Sequence, residues 1–248
     1  MEQTPCGNCG AQMSGEFCQS CGQRRASEIS ILRILRDGIG RLLELDFGFF
    51  YAIRELTLRP GVFVRDYLGG KRKSAINPLK YCFIVTTLYA LAINLLDINF
   101  DFGGGLDLNA EERQIFHILH GFLPYLIFLA LFPVAALQRW LFRESDVSFS
   151  ETYVFALFAV GHSTWLAVVM ATAGVLESPS ELFFLLIVQL AYLTWVLKSF
   201  YTPNRRPPVI RAVLVFATLA VCNNLLAVLI GNMISWLGLV EPLADSIA

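Results

Sequence analysis

Five long apolar runs separated by short polar segments dominate the chain. An α-helix needs about 20 apolar residues to cross roughly 30 Å of hydrocarbon at 1.5 Å per residue. The spans predicted from these runs are residues 78–96, 119–141, 153–176, 182–201 and 209–237. The pattern therefore predicts an all-α membrane protein, with about five transmembrane helices in a bundle over residues 78–248.

The region before the first span, residues 26–77, has a different pattern. From residue 28 to residue 45, apolar side chains recur at helical spacing and charged ones occupy the other side. The apolar positions are Ile31, Leu32, Leu35, Ile39, Leu42 and Leu43. This pattern predicts an amphipathic juxtamembrane helix, which either lies in the membrane interface or packs on the membrane domain. Pro60 and the pair Gly69 and Gly70 are typical of the start and end of a second short helix.

Composition supports a membrane protein. Hydrophobic residues make up 56% of the chain and charged residues 16%, with a mean hydropathy of +0.58. These values exclude a soluble single-core protein, and the 13% aromatic content excludes intrinsic disorder. The net charge of -1 excludes a generally basic nucleic-acid binder. Because the N-terminus is polar and rich in cysteine, we expect no cleavable signal peptide and an uncleaved first span.

The basic residues predict an orientation. Of the 19 Lys and Arg residues, 18 lie in alternate segments or at their edges, and Arg113 is the exception. Cytoplasmic segments carry the excess of Lys and Arg in membrane proteins. We therefore expect the N-terminus in the cytoplasm, the loop of residues 97–118 outside, and the C-terminus on the periplasmic or external side.

Four cysteines at the N-terminus have the spacing of a metal site. Two C-x-x-C pairs, each followed by glycine, are separated by eight residues; the cysteines are Cys6, Cys9, Cys18 and Cys21. Four thiolates suit tetrahedral Zn²⁺, and a cytoplasmic location disfavours disulfides. Residues 1–25 are therefore predicted to form a small cytoplasmic zinc ribbon with one structural zinc ion, and iron is the main competitor. Four Cys ligands leave no open position for hydrolysis, and residues 11–17 lack the basic residues that nucleic acid would need.

A basic cluster lies just before the first span. Lys71, Arg72 and Lys73 are predicted to orient that span, to contact anionic lipid head groups, or to do both. We add Arg65 as a candidate contact with lipid or with a protein partner at the same face.

Two motifs carry a family resemblance. Residues 6–23 read C-x-N-C-G followed by F-C-x-x-C-G-Q, and residues 59–78 read R-P-G, R-D-Y-L-G-G-K-R-K and N-P in that order. Together they resemble a bacterial family of uncharacterised multispanning membrane proteins with an N-terminal four-cysteine zinc ribbon. The resemblance covers about the first 80 residues. It implies four Cys metal ligands and an inner-membrane location, and it brings no established activity.

Several polar residues fall inside the predicted spans. His162, Gln189, Asn223 and Asn224 are each expected near the middle of the bilayer, so a single polar cluster is geometrically possible. The alternative is that each one makes an interhelical hydrogen bond that holds the bundle together. His117 and His120 are three residues apart near the external face and lack an adequate third metal ligand. The catalytic patterns G-x-S-x-G and H-E-x-x-H are both absent from the sequence.

These observations favour a non-enzymatic inner-membrane protein. In this interpretation the zinc ribbon and the basic juxtamembrane region dock a cytoplasmic protein partner or anionic lipid, and no nucleic acid is bound. The alternative is a small transporter or channel whose path is lined by His162, Gln189 and Asn223. An intramembrane enzyme comes third.

Overall fold

A computed structural model of the chain describes residues 4–25, 30–32, 34–35, 47–96, 123–175, 179–201 and 208–237. Two short strands, β1 (Thr4–Pro5) and β2 (Gln12–Met13), pair in antiparallel fashion in the cysteine head, which we define as residues 4–25. Two shorter helices follow, α1 (Phe47–Leu58) and α2 (Pro60–Leu68). The long helices are α3 (Pro78–Leu95), α4 (Ile127–Leu141), α5 (Phe149–Thr172), α6 (Pro179–Tyr201) and α7 (Val209–Trp236).

Within the part of the chain that the structure describes, five helices are long and apolar enough to cross a membrane, in agreement with the five predicted spans. They indicate a multi-pass membrane protein. The second span includes a 3₁₀ turn, Leu123–Leu126, that leads into α4. The third span is α5, which begins at Phe149 rather than at the predicted residue 153. Ser148 and Glu151 form a reciprocal capping box at its start. The predicted external loop and its two histidines lie outside the described residues.

Helix α5 is the centre of the bundle. In its most apolar stretch 67% of the residues are buried, and α3 packs closely along it. Gly161 permits this approach, because a Cβ atom there would lie 3.2 Å from the Cα of Cys82. Phe158 packs on the rings of Phe63 and Tyr67 from α2 and on the ring of Tyr81 from α3. The core therefore joins the short helix α2 to the long helices α3 and α5.

The short helices α1 and α2 pack into the bundle rather than beside it. Gly61, the second residue of α2, lies so close to α6 that a Cβ atom would come within 2.4 Å of the backbone carbon of Ser199. The described part of the predicted amphipathic helix also packs on the core. Ile34 is buried there, and its carbonyl accepts a hydrogen bond from the Asn77 side chain at 3.3 Å. Residues 28, 29, 33 and 36–45 of that prediction lie outside the described residues.

One end of the bundle, which we call the head end, carries the cysteine head. The last turn of α6 lies there beside α2, because Arg65 donates to the carbonyl of Phe200 at 3.2 Å. The ring of Tyr201 stacks on Phe142 with centroids 4.3 Å apart. Arg211 at the start of α7 pairs with Glu144 at 2.6 Å. These contacts bring the C-terminal ends of α4 and α6 and the N-terminal ends of α5 and α7 to the same end.

Candidate metal centre

The two C-x-x-C pairs fold into two loops of the same form. In the first loop Cys6 donates its backbone N–H to the carbonyl of Ala11, and Gly10 donates to the carbonyl of Cys6, both at 2.8 Å. In the second loop Cys18 donates to the carbonyl of Gln23 at 2.8 Å, and Gly22 donates to the carbonyl of Cys18 at 2.7 Å. The two glycines have φ values of 76° and 72°, which other residues rarely adopt. The local sequence therefore determines both turns.

The four sulfur atoms converge on one point. They lie within 4.8 Å of one another, with 3.7 Å between Cys6 and Cys21 and 3.6 Å between Cys9 and Cys18. A disulfide would need about 2.05 Å, whereas the edge of a tetrahedron with metal–sulfur bonds of 2.3 Å is about 3.8 Å. The cysteines are therefore free thiols, and their spacing fits a tetrahedral metal ion. The predicted ligand set converges as one potential metal site.

Backbone amides favour the charged form of two of the sulfurs. The backbone N–H of Cys21 is the main cause that lowers the pKa of Cys18 to about 6, and the N–H of Gln23 lowers the pKa of Cys21. At Cys9 the backbone of Ala11 also lowers the pKa, but hydrogen bonding with the thiols of Cys18 and Cys21 raises it to about 12 overall. A metal ion bound among the four sulfurs would favour the thiolate form of its ligands, because metal-binding cysteines must be deprotonated.

The cysteine head is seated on the loop that follows α2. The buried Gln23 side chain donates from Nε2 to the carbonyl of Gly70 at 2.5 Å. Its Oε1 accepts from the backbone N–H groups of Arg72 and Lys73 at 3.2 and 3.1 Å. We call residues 69–73 the basic loop. One side chain of the head therefore holds three backbone groups of this loop.

Glycines make the contact between the head and the basic loop close. A Cβ atom at Gly7 would lie 3.2 Å from the carbonyl oxygen of Gly69 and 3.3 Å from the Cα of Gly70. On the other side, the Lys73 ammonium nitrogen would lie 3.5 Å from a Cβ at Gly22. Both cysteine loops thus touch the basic loop.

The predicted lipid or partner contacts differ in how they are held. Arg65 donates to the carbonyls of Ser199 and Phe200, so that it caps the C-terminal end of α6. Arg72 donates to the carbonyl of Tyr67 and lies over its ring. Lys71 is exposed and pairs with Asp66 at 2.9 Å, whereas the exposed Lys73 ammonium has no partner among the described residues. Their contact with lipid or with a partner remains a prediction.

His162 is fully buried, and both of its ring nitrogens are bonded. The hydroxyl of Thr57 donates to the carbonyl of Ile53, so it accepts from Nε2–H of His162 at 3.1 Å. Nδ1 then accepts from the hydroxyl of Tyr81 at 2.8 Å. The ring thus joins α1, α3 and α5, which is the role expected of an interhelical contact.

The other predicted intramembrane polar residues lie in different surroundings. Gln189 donates to the carbonyl of Ser163, the neighbour of His162, at 3.4 Å. Asn224 donates to the carbonyl of Ala220 in its own helix at 2.8 Å, and the buried Oδ1 of Asn223 has no partner among the described residues. Within the described part of the chain, no hydrogen bond links either asparagine to His162 or Gln189.

Two polar features of α1 were missed by sequence reasoning. Glu55 is buried and accepts from Arg59 in the next turn, with Arg54 at 3.8 Å. Pro60 has no N–H to offer the carbonyl of Leu56, and the Tyr192 hydroxyl donates to that carbonyl at 3.3 Å instead. The proline at the fourth position after Leu56 was the only available signal, and it does not identify Tyr192.

A comparison with family models finds one match, over residues 46–90, to a family described as "Protein of unknown function (DUF3667)". The matched segment covers α1, α2, the basic loop and most of α3. It therefore includes Thr57 and Tyr81, which form hydrogen bonds with the His162 ring, and the basic loop, which contacts the cysteine head. Comparisons with curated proteins and with solved structures find no match.

Proposed function

We propose that this chain is a non-enzymatic protein of the bacterial inner membrane that docks on anionic phospholipid at its cytoplasmic face. The docking element is the basic loop, and a zinc-loaded ribbon holds it in position. The main support for the proposal is that the Gln23 side chain forms hydrogen bonds with the backbone of Gly70, Arg72 and Lys73. The cysteine head and the basic loop therefore act as one unit.

Zinc is the proposed metal because four thiolates in a closed tetrahedron are typical of structural zinc sites. A structural role is supported by the full set of protein ligands, which leaves no position for a substrate. Iron in the same four-cysteine set is the alternative that elemental analysis separates.

The charges at the head end support a cytoplasmic orientation. Arg65, Arg139, Arg143 and Arg211 lie at this end together with the basic loop, and positive charge marks the cytoplasmic side. Each exposed basic residue near an anionic surface contributes about 1 kcal/mol of binding, and added salt weakens this attraction. Lys71 and Lys73 are the exposed ammonium groups of the basic loop.

The proposal is tested with full-length protein, because α1 and α2 pack into the bundle and a soluble fragment would lose those contacts. The protein is reconstituted in nanodiscs that contain equal amounts of anionic phosphatidylglycerol and zwitterionic phosphatidylcholine. We expect enrichment of the anionic lipid around the protein, and the Lys71→Gln/Lys73→Gln variant should lose most of it. Salt should reduce the enrichment in the parent protein.

The matched control is Arg24→Gln/Arg25→Gln, which removes two positive charges from the cysteine head and leaves the basic loop intact. This control should keep the enrichment. If the Lys71→Gln/Lys73→Gln variant and the parent enrich anionic lipid equally, the basic loop does not dock lipid. An acidic protein partner at the same face would then be the better explanation.

A further inference from the structure

A pocket of about 550 Å³ opens at the head end, where α4 ends and α5 begins. Its polar wall contains Arg139, Arg143, Ser145, Asp146 and Ser148. Its apolar lining consists of Ala136 and Trp140 on α4 and of Val147. The cysteine head and the basic loop contribute no lining residue, so this pocket is separate from the proposed docking loop.

The charges in the pocket are available for a ligand. Arg143 is exposed and has no hydrogen-bond or ion-pair partner among the described residues, and the same holds for Asp146. Arg139 donates one N–H group to the carbonyl of Val147 and retains its other donors. The neighbouring Glu144 pairs with Arg211 at 2.6 Å. Two guanidinium groups and one carboxylate suit a ligand that carries both a phosphate and an ammonium group.

An apolar strip on α4 leads from the pocket toward the middle of the bundle. Leu129, Phe132, Ala136 and Trp140 are all exposed and follow one another at intervals of three or four residues along one face. From Leu129 to Trp140 the helix rises about 16 Å at 1.5 Å per residue, which is half the thickness of the hydrocarbon core. Trp140, at 64% exposure, is next to the last residue of α4, and tryptophan is enriched at the ends of membrane spans.

Along α4, the charged pocket is followed by Trp140 and then by the apolar strip. This order matches the head group, the glycerol region and the acyl chain of a phospholipid. We propose that this pocket binds a phospholipid with a phosphoethanolamine head group. Arg139 and Arg143 bind the phosphodiester, Asp146 accepts hydrogen bonds from the primary ammonium, and one acyl chain lies along the strip. A soluble phosphate compound would use the same charges without contacting the apolar strip, so competition by inorganic phosphate separates the two kinds of ligand.

The test uses delipidated full-length protein in detergent and native mass spectrometry. The probes are phosphatidylethanolamine, phosphatidylcholine and phosphatidylglycerol with identical acyl chains, and inorganic phosphate as competitor. Phosphatidylethanolamine should bind most tightly, because choline has no N–H donor and glycerol has no positive charge. Arg143→Gln should weaken its binding about ten-fold through loss of a charge-assisted contact. Asp146→Asn should remove the preference for ethanolamine over choline.

Arg24→Gln, which removes an exposed positive charge outside the pocket, is the control and should bind all three lipids as the parent does. The melting temperature of each variant shows whether its fold is intact. Equal affinity for the three lipids, or unchanged binding by a folded Arg143→Gln variant, would overturn the proposal. Displacement of the lipid by an equal concentration of inorganic phosphate would assign the pocket to a soluble ligand instead. The pocket is tested by its preference for zwitterionic phosphatidylethanolamine, whereas the basic loop is tested by enrichment of anionic phosphatidylglycerol. Either proposal can therefore fail while the other holds.

Discussion

The cysteine head and the helix bundle are stabilised in different ways. The apolar cluster of the head contains three buried side chains, and two of them are the candidate metal ligands Cys6 and Cys18. Helix α5 alone contributes a run of buried residues from Thr152 to His162, packed against aromatic rings from its neighbours. We therefore expect the head to depend on a bound metal for its folding, whereas the bundle depends on close contact between helices.

Metal removal should have the largest effect, and it should be confined to the head. Structural zinc supplies apparent binding free energies of about 10 to 16 kcal/mol in small zinc domains, which is more than a head with so small a core can replace. We expect about one zinc ion per chain in the purified protein and none in Cys6→Ser/Cys18→Ser, as measured by elemental analysis. Cys222→Ala is the control and should retain zinc. Unchanged zinc in the double variant would contradict the site.

Added volume at a helix contact should have the next largest effect, and it should be confined to the bundle. An alanine Cβ at position 61 would meet the backbone of Ser199 at 2.4 Å, where neither backbone can easily move. Gly61→Ala should therefore lower the free energy of unfolding by about 2 to 3 kcal/mol, as overpacking does. Thermal unfolding of the purified variant measures the loss.

Two further glycines make this test a graded series. Gly161→Ala meets its nearest neighbours at 3.2 Å and should cost less, whereas Gly15→Ala meets nothing within 4 Å and should be neutral. The same melting temperature for all three variants would show that α2 does not pack on α6 as described.

Loss of a buried polar contact should have a smaller effect. The Asn side chain of His162→Asn is too short to form hydrogen bonds with both Thr57 and Tyr81. Because an interhelical hydrogen bond in a membrane contributes about 1 kcal/mol, the loss of thermal stability should be of that size. We also expect nearly full complementation of a deletion strain. A stable, correctly inserted His162→Asn protein that fails to complement would favour the transporter interpretation over the docking function.

The smallest effect is expected on the exposed side of α7, where 6% of the most apolar stretch is buried. Among the described residues, the side chain of Asn224 donates a hydrogen bond only to the carbonyl of Ala220 in its own helix. Asn224→Leu should change the free energy of unfolding by less than about 0.5 kcal/mol, as surface substitutions usually do. A clear loss of stability, or a change in mass by light scattering, would show that a second chain contacts this residue.

The sequence predicts features that depend on neighbouring residues. Spacing and two glycines are enough to predict the cysteine cluster, because each turn is closed by hydrogen bonds within five residues. Length and hydropathy are enough to predict five apolar helices, because a helix satisfies its own backbone wherever it lies. The polar residues inside these helices were harder to interpret, since their depth along the helix does not determine which neighbour they face.

Only the tertiary structure decided how these parts meet. Gln23 and Gly70 are 47 residues apart, and Thr57 and His162 are 105 residues apart, so no local pattern relates them. Likewise, no local pattern predicts that Tyr192 donates to the carbonyl of Leu56, to which Pro60 cannot donate. The chain alone thus determined its helices and its cysteine loops. Contacts between distant residues decided that the head sits on the basic loop and that His162 lies inside the bundle.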